Sequence, residues 1–310
     1  MQSEITLIGY GNQGKAWAAN LRDSGFTVRV SGREDGAGMK TAQADGFTPL
    51  SPRELNSVRG LIAILLPDEA IGDFFLTYLA EPKMKQPRSF LFAHGFSVAY
   101  GKLPFSAADD VILVAPKGIG TKLRENFLRG SGVLGVLGVQ QDASGQAWAA
   151  ADLVAKGLGL DRVGTVRSSF LDETKVDLLS EQAVLCGPVP RLVEESVKFL
   201  VAKGMDPRVA TYECLNELKL IVDMMVDHGM HGMFQKISTA AKFGGFQAAE
   251  TVLPKAQLQE SLETLWAKIE DGSFAKSLSE ESRAGRPITK QNLKNWESSI
   301  ADKNREGRIG

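Results

Sequence analysis

Cysteine is scarce in this chain. Cys186 and Cys214 are the only two in 310 residues. They make no disulfide framework, and a reducing compartment is the expectation. There are three histidines, His94, His228 and His231, which argues against a His-rich zinc site. An excess of one charge is missing too: 36 Lys and Arg meet 37 Asp and Glu, a net charge of −1. Nothing electrostatic favours a nucleic-acid or membrane partner. No apolar run approaches the roughly 18 residues that a membrane span needs. The opening "MQSEITLIGYG" enters a strand at once and leaves no room for a leader peptide, so a cytoplasmic protein is expected.

What is present is the balance of a globular protein, with 43% hydrophobic and 24% charged residues. The length suggests about two domains. The first half alternates short apolar runs with helical patterns. Strands are expected at 4–9, 27–31, 61–67, 89–95, 110–116 and 133–139, and helices at Gln13–Ser24 and Asp142–Gly157, among others. Several runs are apolar throughout, as when a parallel sheet is covered on both faces. That pattern predicts a doubly wound α/β sheet over 1–165. From about Thr165 onward no strand is expected. Helical periodicity dominates 172–186, 190–204, 207–228, 230–242, 247–270 and 276–284, which predicts an all-α domain over 166–310. The tail from "AGRPITKQ" onward reads as polar and partly extended over the surface.

"GYGNQG", Gly9-Tyr10-Gly11-Asn12-Gln13-Gly14, fits G-x-G-x-x-G. It follows a strand and opens a helix at the start of a β-α-β unit, the context that gives the pattern meaning. Gly9 permits a tight turn, Gly11 lets backbone approach a pyrophosphate, and Gly14 allows close helix–strand packing. The second strand ends "VSGREDGAGM". Arg33 could clamp a 2′-phosphate, whereas Glu34 and Asp35 would repel one, so the sequence leaves NADH and NADPH both open. His94 in "AHGF" and Lys117 in "APKG" each fall just past a strand, at the edge where such sheets bind ligands.

Two carboxylate pairs need a separate explanation. Plotted at roughly 100° per residue, "TYECLNELKLIV" puts Asn216, Lys219 and Asp223 on one polar stripe. Glu213 and Glu217 lie off that stripe, one turn apart, beside Leu220, Ile221 and Met224. Asp177 and Glu181 repeat the spacing beside Leu178, Val184 and Leu185. An unpaired carboxylate among apolar groups costs several kcal/mol. Neither pair has a lysine or arginine one turn away on its own face. Oxygen donors of this kind suit Mg²⁺, and two ions can share a bridging carboxylate.

Together these residues resemble ketol-acid reductoisomerase in its short, class I form. The resemblance runs in order through "GYGNQGKAWAANLRDSG", "ILLPDE", "FAHGF", "VAPKG", "DETKVDLLSEQAVLCG", "YECLNELKLIVD" and "ISTAAKFGGF". It implies a Rossmann domain joined to an all-α domain that is knotted or intertwined with a second subunit. It implies that Asp177 bridges two Mg²⁺ ions and Glu181 completes one site, while Glu213 and Glu217 serve the other from the partner subunit of a homodimer, with a higher oligomer possible. It implies that Ser238 binds the substrate carboxylate, that His94 and Lys117 order water and protons near the nicotinamide, and that Glu217 takes part in proton handling. Leu66 and Pro67 of "ILLPDE" join the glycine loop, Arg33 and Asp35 in holding NADPH or NADH. The implied reaction moves an alkyl group within a 2-hydroxy-2-alkyl-3-keto acid and then reduces the new ketone, a step of valine, isoleucine and leucine synthesis.

The chain departs from the family pattern at several points. Asn216 replaces a histidine, and Gly36 and Gly38 stand where serines meet the 2′-phosphate. Ile119 and Thr121 replace proline and histidine, a histidine is missing from "HGFSVAY", and Lys242 replaces an acid. Two alternatives stand beside the main reading. One is a diverged relative acting on another 2-hydroxy-3-keto or 2-keto acid. The other is a nucleotide-binding regulator without catalysis.

Overall fold

The computed structural model describes residues 3–34, 36–80, 87–101 and 103–305. Asp35 lies outside the described residues. The chain forms two compact units, Met1–Val176 and Asp177–Gly310.

The described residues of the first unit form eight strands: β1 (Glu4–Ile8), β2 (Thr27–Ser31), β3 (Thr48–Leu50), β4 (Gly60–Ile64), β5 (Arg88–Phe92), β6 (Asp110–Pro116), β7 (Gly135–Gln141) and β8 (Thr165–Arg167). They form one sheet in the order β3-β2-β1-β4-β5-β6-β7-β8. Pairing is parallel from β3 through β6; β7 is antiparallel to β6, and β8 runs parallel to β7. The chain reverses its direction of travel across the sheet between β1 and β4, the kind of switch point where such sheets open a ligand crevice.

Period-two alternation builds a core on both faces. Ile62, Ile64, Phe90, Phe92, Val111 and Leu113 face one layer, while Ala63, Leu91, Ile112 and Val114 face the other. Helices α1 (Asn12–Asp23) and α6 (Ala147–Leu158) cover the second face through Trp17, Leu21, Val154 and Leu158. Between them in sequence come α2 (Ala37–Ala44), α3 (Asp68–Tyr78), α4 (Phe96–Ala99) and α5 (Gly120–Leu128). On the first face, Phe75 of α3 meets Phe90 and Phe105 at 5.2 Å between ring centres, and Phe92 meets Phe170 at 6.0 Å. Each fully buried side chain of this size contributes about 1.5–3 kcal/mol.

Two strands were not expected. β3 is three residues long with Pro49 at its centre, which only an edge position tolerates. β8 corrects the expectation that no strand begins at or after Thr165. Its three residues are all exposed at the opposite edge, so no apolar run marks it.

Helix α7 (Phe170–Ser180) crosses from the first unit into the second. The second unit is helical: α8 (Pro188–Ala202), α9 (Pro207–Thr211), α10 (Glu217–Lys236), α11 (Thr239–Val252), α12 (Lys255–Glu270), α13 (Ser273–Arg283), α14 (Pro287–Trp296) and α15 (Ile300–Asn304). Gly229, at φ 72°, kinks α10 where the periodicity breaks between 228 and 230. Among the described residues the tail is largely helical rather than extended. It forms α14 and α15, and Glu194 of α8 accepts hydrogen bonds from Ser299 Oγ and from the Ile300 and Ala301 amides. Ala301 packs with Val193, Val197 and Ala210. A sequence reading of polarity missed this because one acid across 105 residues supplies the anchor.

Candidate active site

Gly9 closes β1 at φ 104°, and a Cβ there would sit 2.6 Å from the Leu65 carbonyl oxygen. A Cβ on Gly14 would meet the Gly9 carbonyl oxygen at 2.2 Å. The two positions therefore accept only glycine without rearrangement. Gly11 is the N-cap of α1, and a Cβ there would meet nothing within 4 Å. Among the described residues no side chain caps that helix and no acid sits in its first turn. Its amide groups and dipole thus present a positive end in an open cradle, which fits a dinucleotide pyrophosphate.

Other expected cofactor residues surround this point. Leu66 packs beside Gly9, and Pro67 begins α3. Gln13 Nε2 donates to the Gly118 carbonyl at 2.9 Å and ties α1 to the loop after β6. The Tyr10 ring is buried against Phe47, with its hydroxyl donating to Asp45 at 2.8 Å. Burial, and then the Asp45 carboxylate, push the Tyr10 phenol well above its ordinary range. Its side chain belongs to the packing and only its backbone follows the glycine turn. Arg33 lines an open recess with Glu34, Gly36, Ala37 and Tyr78. Glu34 is occupied elsewhere: it accepts from Ser51 Oγ at 2.8 Å and lies 3.7 Å from Arg53.

His94 and Lys117 follow β5 and β6, and an unanticipated residue joins them. Glu173 of α7 has a side chain only 1% exposed. Its Oε1 accepts from Lys117 Nζ at 2.5 Å, and its Oε2 accepts from the Gly95 amide at 2.8 Å. His94 Nε2 lies 3.9 Å from the same Oε2. Gly95 makes this possible, since a Cβ there would stand 2.3 Å from the Phe170 carbonyl oxygen and 2.4 Å from Thr174 Oγ1. On the other ring nitrogen, His94 Nδ1 stands 3.4 Å from Asp68 Oδ2. A row of polar groups, Asp68, His94, Glu173 and Lys117, therefore runs past the strand ends. Spacing could have revealed Glu173, because Glu173, Asp177 and Glu181 recur every four residues.

In the second unit, Asp177 is half-buried and Glu181 is exposed. Glu181 begins a π turn over Glu181–Leu185, closed by the Cys186 amide donating to the Glu181 carbonyl. A second π turn, Tyr212–Asn216, contains Glu213 and is closed by the Glu217 amide donating to the Tyr212 carbonyl. A regular α-helix through "TYECLNELK" is therefore corrected: the helix widens by one residue at each acid pair. Such turns are frequent at functional sites. Glu213 is exposed and Glu217 half-buried. Of their apolar neighbours, Leu220 is 49% exposed, while Ile221 and Met224 are half-buried. The polar stripe is as expected, with Lys219 paired to Asp223. Among the described residues, Glu213 and Glu217 do not share a cluster of ligand atoms with Asp177 and Glu181. Ser238 is the N-cap of α11, its Oγ accepting from the Ala241 amide at 3.1 Å. The four acids supply oxygen donors alone, a set that fits a hard divalent cation.

Residues 1–164 match the family model described as acetohydroxy acid isomeroreductase, NADPH-binding domain, and residues 170–306 match ketol-acid reductoisomerase, C-terminal domain. The chain is 36% identical over 299 residues to the ketol-acid reductoisomerase (NADP(+)) of Saccharolobus solfataricus, covering 96% of this chain and 89% of the relative. It is 37% identical over 288 residues to that of Methanothermobacter thermautotrophicus, covering 93% and 87%. The solved structure of an NADH-preferring ketol-acid reductoisomerase from an uncultured archean superposes with a TM-score of 0.93 at 30% identity, over 99% of this chain and 95% of that one. A semialdehyde dehydrogenase NAD-binding protein from Cupriavidus necator shares the fold alone, with a TM-score of 0.61 at 17% identity over 86% of this chain and all of the other.

Proposed function

The chain belongs to the ketol-acid reductoisomerase family, and from that premise we propose that it converts 2-acetolactate and 2-aceto-2-hydroxybutyrate to 2,3-dihydroxy acids with a nicotinamide cofactor and Mg²⁺, in branched-chain amino-acid synthesis. The observation that carries this reading is the match of both family models, in order, to nearly the whole chain.

The cradle at Gly9–Gly14, with Leu66, Pro67 and Arg33, would hold NADPH or NADH, which supplies the hydride when bound. Asp177, Glu181, Glu213 and Glu217 would hold two Mg²⁺ ions, which when bound supply Lewis-acid polarisation of neighbouring substrate oxygens. The chain's own residues do the rest. Glu173 is a buried carboxylate fixed by the Gly95 amide and Lys117 Nζ. It orients the lysine ammonium and keeps proton carriers at fixed sites past the strand ends. Ser238, at the start of α11, would donate to the substrate carboxylate. The expected location is cytoplasmic, and no helix among the described residues is long and apolar enough to cross a membrane.

A homodimer is part of this reading. Between Glu217 and Trp296, the only buried hydrophobic side chains described are Met233, Ile269 and Ala275. Val226, Met230, Phe243 and Phe246 are exposed by 78%, 64%, 66% and 56%. Apolar area on this scale favours a partner surface. A second copy would cover it in the intertwined manner of the family and bring Glu213 and Glu217 to the other pair.

The test is oxidation of NADH and NADPH in parallel, with 2-acetolactate and Mg²⁺, and EDTA as control. Metal-dependent turnover is the expected outcome, and the ratio of rates gives the cofactor preference. Reduction of 3-hydroxy-3-methyl-2-ketobutyrate without turnover of 2-acetolactate would instead favour the diverged reductase. That alternative draws on Lys242, one turn from Ser238 on α11.

A further inference from the structure

Asp68 belongs to "LLPDE", whose glycine-loop neighbours have a role in cofactor binding while this carboxylate has none assigned. It occupies the first turn of α3, after Pro67. Its Oδ1 accepts from Ser97 Oγ at 3.2 Å, and the same hydroxyl lies 3.3 Å from the Asp68 carbonyl oxygen. Its Oδ2 stands 3.4 Å from His94 Nδ1. The imidazole lies parallel to the Phe96 ring, 10° between planes and 6.4 Å between centres. Phe96 is itself buried. The imidazole is thus bounded on one side by a ring, at Nδ1 by Asp68, and at Nε2 by Glu173 at 3.9 Å.

We propose that Asp68 is a positioning residue: held by Ser97, it binds the Nδ1–H of His94 and so turns Nε2 toward Glu173 and the reacting centre. Imidazole has two distinct nitrogens, and the partner of one decides what the other presents. Without a carboxylate at Nδ1, the ring is free to exchange tautomers or flip, and Nε2 loses its fixed aim. The arrangement lies within one unit and rests on the sheet ends, since β5 ends two residues before His94 and β4 ends four residues before Asp68. The proposal rests on the reductoisomerase reading for its kinetic arm only.

The experiment uses the full chain labelled with ¹⁵N-histidine, with His94→Gln to assign the resonance among the three histidines. In the parent protein the neutral His94 ring is expected in the Nδ1–H form. In Asp68→Ala it shifts toward the Nε2–H form. The kcat for 2-acetolactate falls about 10–100-fold, as when a supporting partner of an active-site histidine is removed, while the KM for cofactor stays within about twofold. Asp68→Asn, which keeps an acceptor, recovers part of the kcat. An unchanged His94 resonance in Asp68→Ala overturns the proposal. So does a raised cofactor KM at constant kcat, which would mark Asp68 as a cofactor contact. If Asp68→Ala does not fold, Ser97→Ala removes only the hydroxyl that holds Asp68. A smaller shift of the same sign supports the proposal, and no shift overturns it. If the parent enzyme lacks turnover, the family reaction fails while the ¹⁵N spectra still decide the role of Asp68.

Discussion

Glu173 concentrates more of the site's organisation than any residue singled out in the sequence. It touches Lys117 and the Gly95 amide directly and stands within 4 Å of His94. In Glu173→Gln the amide fills the same space, keeps an acceptor for Gly95, and removes the negative charge that Lys117 faces. The expected result is a kcat at least 100-fold lower, in the range of losing one positioned proton-handling group. The accompanying stability loss should be about 1–3 kcal/mol, as for an impaired buried hydrogen bond. Steady-state kinetics with a denaturant titration separates the two. Full activity in a destabilised variant would leave Glu173 as packing alone. His94 and Lys117 were legible because they follow strands at the ligand edge. Glu173 was not singled out, because "LDETKVDLLSE" holds four acids and the sequence does not say which one the sheet buries. Gly95 was the hidden clue, since its missing Cβ is what admits α7.

Elements were legible in proportion to their apolar runs. The six long strands declare themselves, whereas β3 and β8 are three-residue edge segments with little buried surface. The π turns were invisible for another reason: a plot at a constant angle assumes the regularity that these turns break. Acids four apart still lie about one turn apart in a wider coil, so the pairs were found even though the coil was not. The α15 anchor carries a pH dependence. Burial opposes ionisation of Glu194, but the bonds from Ser299, Ile300 and Ala301, with Lys198 nearby, outweigh it and hold the carboxyl below its ordinary range. The folded pKa is depressed, so the stabilisation is present above the unfolded value of about 4.3. It fades as pH falls through the folded value. Amide exchange at Ile300 and Ala301 is expected to accelerate more on acidification than exchange in α8. Glu194→Ala should release α15 even at neutral pH, costing about 1–3 kcal/mol for the unmet donors. Exchange rates in 299–304 that match the parent protein would show that the tail is held by Ala301 packing alone.

At the scale of the whole molecule, the described residues of the second unit bury little of their own apolar surface between Glu217 and Trp296, and the Glu213–Glu217 acid pair stands where that stretch begins. Val226, Phe243 and Phe246 are each more than half exposed, and the proposed dimer would cover them. Val226→Glu places a charge at the most exposed of these positions. It should lower the association state in sedimentation equilibrium and reduce turnover in step with the loss of dimer. The sharper test is complementation. If each site takes Asp177 from one copy and Glu217 from the other, Asp177→Asn and Glu217→Gln are each inactive alone. When the two are co-expressed, half of the randomly paired dimers are mixed, and each mixed dimer keeps one site with both acids intact. Activity near a quarter of the parent value is then expected from two-fold symmetry. If both acids serve the site of their own chain, every copy carries a lesion and the mixture stays inactive. The outcome turns on which copy supplies Glu217, a question that neither hydropathy nor spacing within one chain can answer.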